Sequence, residues 1–175
     1  MATPPTGSSP DRTLAYAKAV VSGEIVAGPH VRNACKRHIA DLKRTDGIWF
    51  DLEAAGHAFA FFEEVLKLSE GQFEGQPFEL QPSQAFIVGS LFGWKRKDGR
   101  RRFRRAYIEQ GKGNGKSPLV AGIGLGVEDA EGEKIASYLA SDERDESRFI
   151  AAEIEGLRFA MSHRDDTVKL TRDIT

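Results

Sequence analysis

The sequence has a single cysteine, Cys35, so no disulfide can form within the chain. That cysteine falls in a segment with helical periodicity, where a buried structural thiol is the expected role, and a reducing cytosolic setting is the natural inference. No apolar run approaches the roughly 18 residues of a membrane span. The opening "MATPPTGSSPDR" lacks the basic-then-apolar order of a signal peptide and reads as a disordered leader. Net charge is only −1, so any polyanion contact must be local. The four histidines at 30, 38, 57 and 163 show no metal-ligand spacing and have one cysteine to join them, which makes a zinc site a poor expectation. No nucleophile of the G-x-S-x-G kind occurs. At 175 residues the chain suits one domain with a real core.

Helical signals dominate the first seventy residues. "DRTLAYAKAVVS" places Leu14, Ala17 or Lys18, and Val21 on one face, with Gly23 as the C-terminal stop. In "GPHVRNACKRHIADLKR", Pro29 suits a first turn, and Val31, Ala34, Cys35, His38, Ile39 and Leu42 follow helical spacing. "WFDLEAAGHAFAFFEEVLKLSEG" offers Asp51 as N-cap, a stripe of Phe59, Phe62, Val65 and Leu66, and Gly71 as a stop. The texture changes at 75–94, where a helix is expected from Pro82 to about Phe92. The division expected is a leader over 1–10, a helical region over 11–74, and a second part over 75–175.

Asp98-Gly99 signals a hairpin turn, and Ala106-Tyr107-Ile108 reads as a strand. "YIEQGKGNGKSPLV" then packs Gly111, Gly113, Gly115, Lys112 and Lys116 into a short loop. A helix is expected over "KSPLVAGIGLGV", a strand over "KIASYLAS" and a further helix over "DERDESRFIAAEIEGLRFAM". Strand, loop, helix, strand, helix is the order of a parallel α/β sheet. The glycines at 122, 124 and 126 are expected to serve helix packing.

A phosphate-binding loop needs inward N–H groups, glycines that admit phosphate close to the backbone, a lysine, and a serine or threonine for Mg²⁺. Gly115-Lys116-Ser117 supplies the back half of G-x-x-x-x-G-K-[ST], while Gln110 stands where the first glycine would be. The competing reading is a flexible surface turn; the strand expected before the loop and the helix after it favour the cradle.

Three stretches, "YAKAVVSGEIVAGPHVRNACKRHIADL", "PFELQPSQAFIVGSLFGW" and "RRAYIEQGKGNGKSPLVAGIGL", together resemble the N-terminal part of the large terminase subunit of tailed bacteriophages, over most of residues 14–160. That family is an ATPase and nuclease that pumps DNA into capsids. The resemblance implies a P-loop NTPase-type parallel sheet, here incomplete, preceded by an all-helical region. It implies ATP and Mg²⁺ as cofactors, bound through Gly111, Gly113, Asn114, Gly115, Lys116 and Ser117, with Ser117 on the metal and Lys116 and Lys112 in catalytic roles. Lys112 occupies the place where the family usually has arginine, so it keeps the charge without the forked geometry. Gln84 corresponds to a glutamine that reads adenine through its amide; the alternative is a helix-surface glutamine. The implied partners are double-stranded DNA, the portal and the small terminase subunit, in the cytoplasm of a bacterial host.

An acidic pair at the end of an apolar strand should hold Mg²⁺ and place the attacking water. Asp165-Asp166 follows "MSHR", and Glu153 and Glu155 are helical by context, so no such pair is recognised and the chain reads as truncated. "TVKLTRDIT" alternates like the start of another strand. Eight of the eleven positions from Lys95 to Arg105 are Lys or Arg. They could meet nucleic-acid phosphates, but a solvated hairpin whose charges protect an edge strand is the favoured reading. A different class of function also remains open: a non-catalytic interaction module, or a degenerate prophage fragment, whose helices dock a partner and whose loop is vestigial.

Overall fold

A computed structural model describes residues 11–68, 73–111 and 114–131, with the side chains of 127–131 left aside. The chain divides into two units, Met1–Phe59 with Leu80–Ala106 and Ala60–Glu79 with Tyr107–Thr175.

The first unit opens with α1 (Arg12–Ser22). The Asp11 carboxylate accepts from Leu14 N at 3.0 Å, and Gly23 closes the helix with φ +88°, a left-handed cap that glycine adopts without penalty. The buried face is Thr13, Ala17 and Val20. Ala17 is buried as expected, but Thr13 and Val20 are buried in place of Leu14 and Val21, and Val21 is exposed. The correction follows from Thr13: its small side chain lies against Gly89 of α4 (Pro82–Gly93), so the backbones approach closely there. A β-carbon on Gly89 would collide with Thr13 Oγ1 and come within 2.9 Å of Phe59. Apolar spacing alone gave no weight to a threonine at a helix crossing.

Helix α2 (Pro29–Asp41) starts at Pro29 as expected and buries Cys35, His38 and Asp41. Cys35 packs with Ala17, Val20 and Phe86, and burial pushes its thiol up to about 11, so it is an unreactive core residue. Val31 and Leu42, assigned to the same face, are exposed.

An all-helical start is also corrected. β1 (Ile48–Phe50) pairs antiparallel with β2 (Trp94–Arg96), with Trp49 opposite Lys95. Ile, Trp and Phe after Gly47 make a strand that the adjoining helix signal overshadowed. α3 (Leu52–Ala60) follows, its N-terminus capped by Asp51 accepting from Ala54 N at 3.0 Å. Gly99 turns the chain with φ +76°, and Lys95 bridges to Arg101, which agrees with the expected Asp98-Gly99 hairpin.

The parallel sheet expected from the sequence is not what the described residues form. Their only sheet is this antiparallel pair, and Ala106–Ile108 carry no strand. A strand is defined by its partner, and the one expected for Ala106–Ile108, over 134–141, lies outside the described residues. So do the later helix, Glu153, Glu155, His163, Asp165, Asp166 and the alternation after Thr167. What stands is a mixed helix and small-sheet chain, consistent with an α/β class.

Trp94 ends α4 and begins β2, and only 1% of it is exposed. Its indole Nε1 donates to His38 Nδ1 at 3.0 Å, and its carbonyl accepts from Arg102 N at 2.8 Å. The Arg102 guanidinium lies over the indole, 5.2 Å from its centroid, and donates to the Asp41 carboxylate at 2.7 Å. Arg102 and Arg37 both sit over Phe103, at 4.9 and 5.3 Å. The basic run is therefore not uniformly solvated: Arg102 is built into the core while Arg104 and Arg105 are exposed.

In the second unit the chain leaves α3 through a π-helical turn at Phe61–Val65. Phe62 and Leu66 are buried as expected, Val65 is half-buried, and Gly71 lies outside the described residues. Phe62 packs edge-on against Phe78, with centroids 5.3 Å apart. Residues 66–68 run back along 76–78 through Phe78 N to Leu66 O and Leu68 N to Gln76 O. The helix expected after the glycine loop is α5 (Lys116–Glu131).

Arg102→Ala should destabilise the fold by about 3 kcal/mol, since it leaves Asp41 buried without its main partner. Arg104→Ala in the same basic run should change stability by less than about 0.5 kcal/mol. Urea melts of the two variants read the difference directly.

The buried acid and imidazole give a pH signature. Burial lowers the His38 pKa, partly countered by the charges of Asp11 and Asp41 and reinforced by Arg37. The unfolded chain thus takes up a proton near pH 6.5 that the fold resists, so stability falls as pH drops below that value. Burial alone would raise the Asp41 carboxyl, but hydrogen bonds and charge from Arg102, with Arg44 adding to them, hold it below the ordinary carboxylate value. Its contribution is present at neutral pH and is lost at a lower window, as pH falls through the depressed pKa. In His38→Gln, whose amide oxygen can still accept from Trp94, the slope of melting temperature between pH 7 and pH 5.5 should flatten while the low-pH slope persists.

Candidate phosphate-binding loop

The residues singled out for nucleotide binding fall in different parts of the chain. Gly111, Asn114, Gly115, Lys116 and Ser117 belong to the second unit, in the loop that enters α5. Lys112 and Gly113 lie outside the described residues. Gln84 belongs to the first unit.

Gly115 carries φ +69° and its carbonyl accepts from Leu119 N at 3.2 Å, so it is the residue from which α5 starts. The left-handed conformation explains why this loop position is glycine. A glycine at the helix start has a second consequence: it brings no side chain to cap the first turn. α1 and α3 spend an aspartate on that task and α4 a glutamine, while α2, like α5, starts from a glycine, Gly28, that brings no side-chain cap. Of the leading backbone positions, Pro118 has no N–H, which leaves Gly115, Lys116 and Ser117 as donors facing the helix N-terminus. No acidic residue stands in the first turn. Dipole, donors and the Lys116 charge therefore share one sign at one place, as an anion requires.

Lys116 and Ser117 are half-buried in the first turn of α5, and Asn114 is exposed. The Asn114 amide folds toward Gly111; a β-carbon at Gly111 would stand 3.2 Å from Asn114 Nδ2. Gly115 is thus required by its dihedral, whereas Gly111 is only crowded by the movable Asn114 amide. Ser117 supplies a hydroxyl in the place where this loop type engages Mg²⁺. Among the described residues no cluster of three or more His, Cys, Asp or Glu could hold a metal by itself.

Gln84 departs from the helix-surface reading. It is not a surface residue, being 6% exposed, and its Oε1 accepts from Gln81 N at 3.0 Å while Gln81 caps the backbone of Gln84 in return. This reciprocal capping box engages the acceptor half of the amide. A Pro82 helix start with glutamine three residues after the cap was a legible signal for it. Sequence reasoning also missed Gln110. Its Oε1 is buried and has no hydrogen-bond partner among the described residues, an acceptor left over at the entrance of the loop.

With this geometry in hand, comparison with known families places the chain. Residues 82–169, half of its length, match the terminase large-subunit ATPase domain, and the chain belongs to that family. The match begins at Pro82, the first residue of α4, and runs through the loop and α5. No curated protein and no solved structure matches it. Among the described residues no helix is long and apolar enough to cross a membrane.

Gly115→Ala should lower stability by about 1–2 kcal/mol, the cost of forcing a β-carbon into the left-handed region. Gly111→Ala should cost less, because the Asn114 amide can rotate away. Chemical denaturation of the two variants gives the ranking.

Proposed function

We propose that this chain is the ATP-binding N-terminal part of a phage terminase large subunit, the ATPase of the motor that packages DNA into capsids. The observation that carries the reading is the start of α5: a left-handed Gly115 with no capping side chain, followed by Lys116 and Ser117, within the stretch matching the terminase ATPase family. Membership of that family supports ATPase chemistry in general.

In this proposal Gly111, Gly113, Asn114 and Gly115 form the cradle, and the N–H groups of Gly115, Lys116 and Ser117 bind phosphate oxygens. Lys116 neutralises the β- and γ-phosphates, and the Ser117 hydroxyl takes a position on Mg²⁺. Lys112 supplies a second positive charge at the γ-phosphate. Mg²⁺, when bound beside Ser117, would supply positive charge against the charge developing on the phosphoryl group, while Lys116 and the loop N–H groups would position that group. Gln84 has one amide half engaged in capping α4, so adenine recognition would rest on its Nε2 donor alone. Hydrolysis further requires a carboxylate to position water, and with that group supplied the chain acts on ATP–Mg²⁺ in the cytoplasm of a bacterial host. Its partners there are double-stranded DNA, the portal and the small terminase subunit. In this proposal a boundary near residue 75 divides the helical region from the ATPase part.

A specific observation also favours an interaction module. The connection between α1 and α2 exposes Val26 at 93%, with Val21 and Val31 also exposed nearby in sequence. Such residues suit a partner's apolar surface.

Isothermal titration of the 175-residue chain with ATP–Mg²⁺, beside Lys116→Ala, separates the two readings. Binding by the parent and a loss of at least tenfold in the variant is expected for a charged phosphate ligand. Equal heats for the two proteins would leave the interaction module as the reading.

A further inference from the structure

The nucleotide reading assigns tasks to Lys116 and Ser117 but leaves open what fixes the helix that carries them. α5 buries Leu119, Ala121, Gly122 and Leu125. At Gly122 there is no room for a side chain. A β-carbon there would stand 2.5 Å from Phe62 Cε1, 2.8 Å from Phe62 Cζ and 3.0 Å from Leu66 Cδ1. Ordinary carbon contacts begin near 3.5 Å, so α5 rests directly on the π-helical turn and its following residue.

That support has little freedom to retreat. Phe62 is fully buried, and its ring is held edge-on by Phe78 at 5.3 Å and by Phe61 at 6.2 Å. Leu66 is 1% exposed; its N–H donates to Phe61 O at 3.1 Å, closing the π-turn, and its carbonyl accepts from Phe78 N at 3.2 Å. Lys67 bridges to Pro77 and Leu68 N donates to Gln76 O behind them. A π-turn inserts an extra residue into helical geometry and so re-aims the side chains it carries. Here it directs Phe62 at the one residue type that lets α5 come this close.

We infer that Gly122, seated on Phe62 and Leu66, is a positioning residue for nucleotide binding: the contact sets the depth of α5 and with it the placement of Lys116 and Ser117 six and five residues away. This rests on the phosphate-loop reading. A methyl group at 122 must push the helix off its seat by roughly 1 Å, and displacements of that size disturb ligand geometry strongly. Packing between Gly122 and Phe62 involves no group that touches the ligand, so its effect reaches nucleotide only through the helix.

The test is ATP–Mg²⁺ titration of four full-length proteins: parent, Gly122→Ala, Gly122→Ala with Phe62→Leu, and Lys116→Ala, each with its melting temperature. Gly122→Ala should weaken binding about tenfold or more, although alanine is the better helix former. The double variant, in which the shorter side chain makes room for the methyl group, should recover most of the affinity. Unchanged affinity in Gly122→Ala beside a loss in Lys116→Ala would overturn the inference and leave the nucleotide reading intact, even if the melting temperature fell. Equal affinity in Lys116→Ala and parent would overturn the nucleotide reading and this inference with it. Should Gly122→Ala fail to fold, Phe62→Leu alone decides: it removes the stop against which α5 rests, so weaker binding supports the inference and parental binding overturns it.

Discussion

Trp94 is the residue through which the first unit is tied together. Its indole hydrogen bond reaches His38 in α2, its carbonyl takes the Arg102 N–H, and its backbone joins α4 to the strand that pairs with β1. A buried indole N–H must find an acceptor, and a buried imidazole must settle which nitrogen carries its proton. Each solves the other's problem: Nδ1 of His38 is the acceptor, which leaves the proton on Nε2. The consequence is that Nε2 itself is buried without a partner among the described residues. The aromatic faces around it, Phe50, Phe86 and Trp94 at 5.1 to 5.7 Å, compensate by packing rather than by hydrogen bonding.

The same constraint gives the arginine-rich segment its shape. A run of eight basic residues in eleven would be expected to spread into solvent, and most of it does. Arg102 is held most firmly because Asp41, brought to the end of α2 one turn after His38, offers a carboxylate beside the Trp94 face, while Lys95 and Arg101 are half-buried as well. Stacking, ion pair and backbone hydrogen bond converge on one residue, which fixes the chain at Arg102. Charge density in the sequence could not separate this arginine from its neighbours. Only the distance to Asp41 does, and the two lie 61 residues apart.

Features set by neighbouring residues were legible: the Gly23 and Asp51 caps, Pro29 and Pro82 as helix starts, the Asp98-Gly99 turn, and the helix that follows the glycine loop. Those set by distant contacts were not. The buried face of α1 keeps Ala17 but turns to take in Thr13, which meets Gly89, and Ile48–Phe50 became a strand because Trp94–Arg96 lies alongside. At the candidate site the division is the same. Gly115 and Lys116-Ser117 match the back half of a phosphate-loop pattern through their order, but the capping role of Gln84 depends on Gln81 and the close packing of Gly122 on Phe62.

The glycines of the second unit show how one residue type can serve two different ends. Gly115 is required by its own backbone, and it brings no side chain of its own to the first N–H groups of α5. Gly122 makes no demand on its dihedrals; it is required by what lies against it. The first exposes an electropositive helix end, and the second holds the helix that carries it. An anion site needs both conditions, because donors left open by a glycine cap select a ligand only if the helix bearing them cannot shift to follow a poorer one.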